Sequence, residues 1–462
     1  VLLGWFARGV DADAGLLGFR IVSESLGSTS WYLRMLRDSP AAAERLSQLL
    51  SSSRLMTDLL EDASASIAWL DKVDDLKALG EEALESEISS LLARHEDAVE
   101  AMRAVRYLRR RETLRTAMGW TLGIVDIEDT CAGLAAIDEC TIDAALRIAL
   151  RELQSTAEES EAGETAGEQL LTRIAIIGMG RLGGAENGFG SDADVMFVHE
   201  PLEGVDEDAA QEQAARIVNR TLALLKQPVK PPIRAERPLE VDADLRPEGK
   251  QGAIVRSLDS YRSYYERWAE TWEFQALTRA RPIGGDPQLG EAFVELIDPY
   301  RYPATFTPEQ VQQIRRMKAR VENERMPHGA DRTRQLKLGR GGLSDVEWLM
   351  QLLQLRHAHA VPGLRTTSTL KALDAAVEAG LVAAEDAEVL SGAWLLATKI
   401  RGGNVLRGVR QSDTLPSGRA DLEAIARWCG YPAGSARALE EDYLRQTRNA
   451  RKVYERLFFD EA

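Results

Sequence analysis

GMGRLGGAENGFGSDADVMFVHE, residues 178–200, follows the apolar run Ile174-Ala175-Ile176-Ile177 and closes in a second one, 195–198. Short apolar runs around a glycine-rich loop predict two strands, 173–177 and 195–198. Asp192-Ala193-Asp194 stands at the entrance to the second. Side chains at i and i+2 of a strand share a face, roughly 6.6 Å apart, so Asp192 and Asp194 can grip a hard cation from one side. Mg²⁺ suits such a pair, because it keeps waters and shares its remaining sites with substrate phosphates.

The alternating run 239–245, LEVDADL, predicts a further strand. Asp242 on it is the candidate third carboxylate of a two-metal site, in which the ions lie about 3.5–4 Å apart. Asp244 would share the face of Asp242, so either could serve as that carboxylate, and Asp244 is also a candidate ion-pair partner of Arg246. In the loop, Gly178, Gly180, Gly183 and Gly184 would let backbone N–H groups approach phosphates, with the Ser191 hydroxyl as a further donor. Arg181 and Arg246 are candidate phosphate contacts, the alternative for Arg246 being a local ion pair. Together these residues point to metal-dependent nucleotidyl transfer. A dinucleotide site is the rival, since Gly178–Gly183 fits G-x-G-x-x-G. It requires the glycines to open a long helix, which Asn187, Gly188 and Gly190 interrupt.

Composition narrows the partners. Seventy-three acidic against 57 basic residues give a net charge of −16, which disfavours a nucleic-acid substrate and a template-directed polymerase. No apolar run reaches the roughly 20 residues of a membrane span. Three unpatterned cysteines, Cys131, Cys140 and Cys429, fit a reducing cytoplasm without disulfides or a zinc site. The 462 residues suggest about three domains. They are an N-terminal helical region, 1–150, a nucleotidyltransferase catalytic domain, 151–300, and a C-terminal helical domain, 301–462. The fold class is therefore α+β, mostly α overall. The acidic stretch 151–168 reads as a linker, 208–226 and 257–280 as helices, and Arg109–Arg111 as a solvated helix face. The Trp and Tyr stripe at 261–274 reads as core, and Ser344 as a helix cap, with Lys337 or Asp345 as the alternative, a nucleotide or effector contact.

The segment G-M-G-R-L-G-G…G-S-D-A-D-V-M-F resembles the signature of the bacterial glutamine synthetase adenylyltransferase family. Val241–Gly249 is similar to that family's V-D-x-x-L-R-P-x-G strand, Trp272–Arg281 to its W-E-x-x-A-L-x-x-A-R helix, and Gly341–Glu347 to its G-G-x-x-D-I-E-F segment. The resemblance implies a polymerase β-like nucleotidyltransferase domain flanked by helical regions. It also implies one half of a bifunctional protein whose N-terminal half removes AMP from a glutamine synthetase tyrosine by phosphorolysis and whose C-terminal half attaches it from ATP. Asp345 and Leu355–His359 are similar to the transferring half, and the absence of an initiator Met suggests a fragment of a longer chain. Met179 and Lys337–Gly339 are closer to the removing half, which stays as the alternative. A regulatory nucleotide-binding module without catalysis is a second. The expected cofactor is Mg²⁺ (Mn²⁺ as substitute), ATP the substrate, and glutamine synthetase and a PII signalling protein the partners.

Overall fold

The computed structural model describes residues 1–27, 29–155, 168–408 and 412–459. The chain opens with helices α1 (Leu2–Ala7), α2 (Ala12–Leu26), α3 (Ser30–Asp38), α4 (Pro40–Ser52), α5 (Arg54–Asp62) and α6 (Glu81–Arg94). Two long helices follow, α7 (Ala98–Thr121) and α8 (Ile127–Ser155). Asp97 caps α7 through the Val99 and Glu100 N–H groups at 2.9 and 2.8 Å.

The sheet comes next. β1 (Thr172–Gly178), the single turn α9 (Gly180–Gly183), β2 (Ala193–Pro201), α10 (Glu207–Lys226), β3 (Val241–Asp242), β4 (Val255–Ser257), α11 (Leu258–Arg267), α12 (Thr271–Leu277), β5 (Arg281–Gly285) and α13 (Pro287–Arg301) alternate along the chain. The strands form one mixed sheet of five, in which β1 lies between β2 and β5, antiparallel to both. β3 and β4 both pair parallel with β2. Because β1 and β2 are antiparallel, the glycine loop is not a βαβ crossover, which removes the dinucleotide reading.

Alternation along the central strands feeds two cores. Ile174, Ile176, Val195 and Phe197 face α8 and α10, while Ala175, Ile177, Met196 and Val198 face α11 and α13. The boundary expected at 150 falls inside α8, since that helix is one cover of the sheet. Residues 156–167 of the expected linker lie outside the described residues. The helix expected over 257–280 is two. A capping box of Glu270 and Glu273, with the Glu270 N–H donating to Glu273 Oε2 at 2.7 Å, restarts the chain as α12. The aromatic stripe is core in part. Tyr261 and Tyr265 are buried, and Trp268 at the break is exposed.

The remainder is helical: α14 (Pro308–Glu324), α15 (Leu343–His357), α16 (Thr369–Glu378), α17 (Ala384–Leu406), α18 (Arg419–Trp428) and α19 (Ala436–Phe459). The expected solvated arginine face is instead internal. Arg109 pairs with Asp138 at 2.7 Å, Arg111 with Glu87 and Glu112, and the Arg110 side chain is 2% exposed.

The loop between β1 and β2 locks these parts together. Its Phe189 stacks on Trp120 of α7, ring centroids 5.8 Å apart, and packs in one core with Val405 and Leu406 of α17. Phe189→Ala should lower stability by about 3 kcal/mol in urea denaturation. Unchanged stability would show that the loop is not anchored there.

Candidate active site

β2 begins at Ala193, so Asp192 is the last residue of the loop and Asp194 the second of the strand. Parallel pairing sets Asp194 directly opposite Asp242 of β3. Asp192 and Asp242 are exposed and Asp194 is half-buried. Gly180, at φ +52, lies against this group, and a Cβ there would stand 2.3 Å from Asp194 Oδ2. Burial pushes the Asp194 carboxyl up to about 6, with Lys337 opposing and the negative charges of Asp242 and Asp192 adding to the rise. Burial likewise raises Asp192; Lys337 and Arg401 oppose it, and Asp242 and Glu240 add.

The strand expected over 239–245 is only two residues long. Asp242 Oδ1 accepts the Asp244 N–H at 2.7 Å and turns the chain out of the sheet. Asp244 therefore leaves the carboxylate group and pairs with Lys250 at 3.2 Å and Arg246 at 3.6 Å. Arg246 donates to the carbonyls of Ala243, Lys250 and Gly252 at 2.7, 3.3 and 3.1 Å. It braces its own turn, which favours the local role over a phosphate contact.

Packing explains several loop glycines. A Cβ on Gly183 would stand 1.9 Å from the Arg279 carbonyl, one on Gly184 2.4 Å from the Arg279 guanidinium, and one on Gly178 2.8 Å from Ile283. Arg279 is buried. It donates from Nε to the Gly180 carbonyl at 3.1 Å, pairs with buried Glu186, and reaches Thr369 Oγ1 at 2.9 Å. Ser191 Oγ accepts the Gly188 N–H at 3.0 Å. Arg181 donates from Nε to the Glu186 carbonyl at 2.9 Å and turns its guanidinium inward, 5.6 Å from the Trp394 ring. Among the described residues its two terminal nitrogens have no hydrogen-bond partner.

The C-terminal helices add a cationic side. Lys337 is exposed ahead of α15 and acts on both Asp192 and Asp194. Arg401 of α17 lies with Arg181, Ser191 and Asp413 around a small cavity and pairs with Asp413 at 2.6 Å. Burial would raise the Glu347 carboxyl, but Arg181, Arg279, Lys337 and Arg401 outweigh it and hold it below the usual range. Sequence reasoning missed Glu347 and Arg401 as parts of this site. Glu347 stood within a quoted motif, whereas a lone arginine in a helix carries no signal.

Asp345 points elsewhere. It takes Lys318 Nζ at 2.9 Å, Arg451 at 3.0 Å and the Gly341 N–H at 2.7 Å, inside a buried network joining α14, α15 and α19. Ser344 is not a cap either; the N-cap is Gly342, and Ser344 Oγ accepts from Lys318 at 2.8 Å.

Among the described residues no three His, Cys, Asp or Glu side chains converge on one point as a metal cage would. The donor set still fits Mg²⁺. Burial, with the charge of Asp242 adding, raises the proton affinity of Asp192 and Asp194, and Mg²⁺ is commonly held by one or two carboxylates and completed by substrate phosphates.

A family model described as glutamate-ammonia ligase adenylyltransferase matches residues 43–296. The chain belongs to that family. A second model, described as GlnD PII-uridylyltransferase, matches residues 315–458. Curated relatives named bifunctional glutamine synthetase adenylyltransferase/adenylyl-removing enzyme align along nearly the whole chain. Those of Leifsonia xyli and Streptomyces avermitilis are each 48% identical over 99% of the chain, covering 44% and 46% of their own length. That of Mycobacterium avium is 45% identical over 99% of the chain and 45% of its own length. The chain thus spans less than half the length of these adenylyltransferase-family relatives.

Ionising Asp194 costs folding free energy, because its folded-state carboxyl titrates above its unfolded value of 3.8. The stability this proton confers is present below about pH 4 and lost as pH rises through about 6. In metal-free protein, Asp194→Asn should therefore raise stability at pH 7.5, by on the order of 2 kcal/mol, and by nearly nothing at pH 4. Thermal melts at the two pH values test this; a destabilised variant at pH 7.5 would contradict it.

Proposed function

We propose that this chain is the adenylyl-transferring half of a bifunctional protein, moving AMP from ATP to a tyrosine hydroxyl of glutamine synthetase and releasing pyrophosphate. The observation that carries the reading is the gathering of Asp192, Asp194 and Asp242 at one sheet edge, facing Lys337, in a chain of the adenylyltransferase family. A DxD on β2 with a third Asp on a parallel neighbour supports a polymerase β-like nucleotidyltransferase fold. Its catalytic part would occupy about 151–300, with helical regions on either side and α8 shared with the first.

Mg²⁺ at the three carboxylates, with Mn²⁺ as its substitute, would neutralise the triphosphate and make the α-phosphorus more electrophilic. Lys337 supplies a counter-charge for the polyphosphate from the opposite side. Ser191 Oγ already accepts the Gly188 N–H, so its own proton is left to donate to a phosphate oxygen. Gly180 contributes by having no side chain, which leaves the Asp194 carboxylate its place. Asp242 Oδ1 is fixed by the Asp244 N–H, and Oδ2 remains to accept the proton of the tyrosine hydroxyl, whose ordinary pKa is near 10. The phenolic oxygen bonds to the α-phosphorus as the bond to the leaving pyrophosphate oxygen breaks. Positioning and charge neutralisation supply most of the acceleration.

The match of residues 315–458 to a PII-uridylyltransferase model supports contact of the C-terminal helices with a PII signalling protein. Among the described residues no helix is long and apolar enough to cross a membrane, and the acidic net charge supports a protein acceptor over nucleic acid. A cytoplasmic site of action accords with the acceptor.

ATP labelled at the α-phosphate, incubated with Mg²⁺ and unmodified glutamine synthetase, should label that protein. Asp192→Asn and Asp194→Asn should each slow labelling by at least about 100-fold. Lys337→Ala should raise the KM for ATP roughly tenfold, the loss of one charge-assisted contact. Phosphate-dependent release of label as ADP from adenylylated glutamine synthetase, with no incorporation, would assign the adenylyl-removing reaction instead; undiminished labelling by the Asn variants would remove the metal site.

A further inference from the structure

The place of Lys337 is set by what lies behind it. Leu336, the residue before it, donates its N–H to the Asp413 carbonyl at 2.6 Å, and Asp413 shares a small cavity with Ser191, the residue before Asp192. That contact brings Lys337 to the end of the glycine loop. The chain then turns back on itself, and the N–H groups of Leu343 and Ser344 donate to the carbonyls of Leu336 and Lys337, each at 3.0 Å. Lys337 is exposed. A lysine stem is flexible, so the direction of an exposed one depends on how firmly its backbone is held.

Asp345 closes this turn. Its Oδ2 accepts the Gly341 N–H at 2.7 Å, at a residue whose φ of +73° favours glycine. A Cβ on Gly341 would stand 1.8 Å from the Thr447 carbonyl, so the turn presses on the backbone of α19. The same carboxylate faces Lys318 of α14 at 2.9 Å and Arg451 of α19 at 3.0 Å. Lys318 also donates to Ser344 Oγ at 2.8 Å, and the Ser344 N–H holds the Lys337 carbonyl. Asp345 and Lys318 are both fully buried. Ions buried in this way add little net stability over apolar side chains of similar volume, so stability alone does not account for them.

We propose that Asp345 is a positioning residue for nucleotide binding. By clamping the turn at Gly341 and, through Lys318, at Ser344, it aims Lys337 at the polyphosphate held by Asp192, Asp194 and Asp242. It touches no substrate and acts through Lys337. This rests on the transfer reading above, in which Lys337 is the counter-charge of that polyphosphate.

The affinity of the full chain for MgATP, measured by calorimetry, tests the proposal through a double-mutant cycle. Asp345→Asn should weaken binding at least about fivefold, and in Lys337→Ala protein the same substitution should change it less than about twofold. Glu322, 3.2 Å from Lys318 and 3.4 Å from Arg451, keeps a counter-charge beside both cations in that variant. Lys318→Met combined with Asp345→Leu removes cation and carboxylate together and leaves Glu322 with Arg451. It should fold and show the same loss of affinity. Leu390→Ala, which opens a hole elsewhere in the same core, should lower the Tm and leave the affinity unchanged. Equal losses from Asp345→Asn with and without Lys337, unchanged affinity in a folded Asp345 variant, or an equal loss from Leu390→Ala would overturn the proposal. An unaltered chain that binds no MgATP would overturn the nucleotide reading, and the proposal with it.

Discussion

The arrangement of the site depends on one buried cation. Arg279, at the end of the sequence that forms α12, reaches the Gly180 carbonyl, Glu186 and the start of α16 through a single guanidinium. Glu186 in turn accepts the Thr369 N–H and hydroxyl, at 2.5 and 3.0 Å. The sheet, the glycine loop and the C-terminal helices are thus tied at one point. A buried pair of this kind adds little net stability over an apolar substitute, but removing one partner is costly because the other charge remains. Its contribution is to fix which arrangement is adopted. Gly183 and Gly184 are glycines because the arginine occupies the space a side chain would need.

Fixing the loop in this way sets the electrostatics of the sheet edge. Gly180 is held against Asp194, Asp192 is delivered to the head of β2, and Asp242 arrives on a parallel neighbour in direct register. Burial, with the negative charges of Asp242 and Asp192 adding and Lys337 opposing, is why Asp194 holds its proton to about pH 6. Lys337 answers them from the C-terminal side, and Glu347 is wrapped by Arg181, Arg279, Lys337 and Arg401. Negative and positive groups therefore face each other across the junction of sheet and helices, an arrangement that suits a cation together with a polyanion better than either alone.

The strands and the D-x-D were legible because their signals are local: apolar runs of the right length, a glycine-rich break and a two-residue spacing. The length of β3 was not, because the pattern LEVDADL alternates throughout while the Asp242 side chain bends the backbone after two residue pairs. The glycines were visible as a group, but the packing reason for several of them was not. Packing against Arg279, almost 100 residues away in sequence, cannot be read from the loop itself. Arg109–Arg111 read as solvated because helical periodicity says nothing about acidic partners arriving from other helices. Asp345 was singled out through resemblance, and its buried pairing with Lys318 and Arg451 gives it a structural reason to be acidic independent of any nucleotide.

A divalent ion shared between protein carboxylates and a triphosphate should bind poorly to the protein carboxylates alone. Titrating Mn²⁺ into the protein and following the free ion by electron paramagnetic resonance, with and without ATP, examines this directly. The account predicts weak binding to the protein alone, tightened at least about tenfold by ATP beyond what ATP itself captures, and lost in Asp194→Asn. Equal Mn²⁺ affinity with and without ATP, or the same behaviour in the Asn variant, would contradict it.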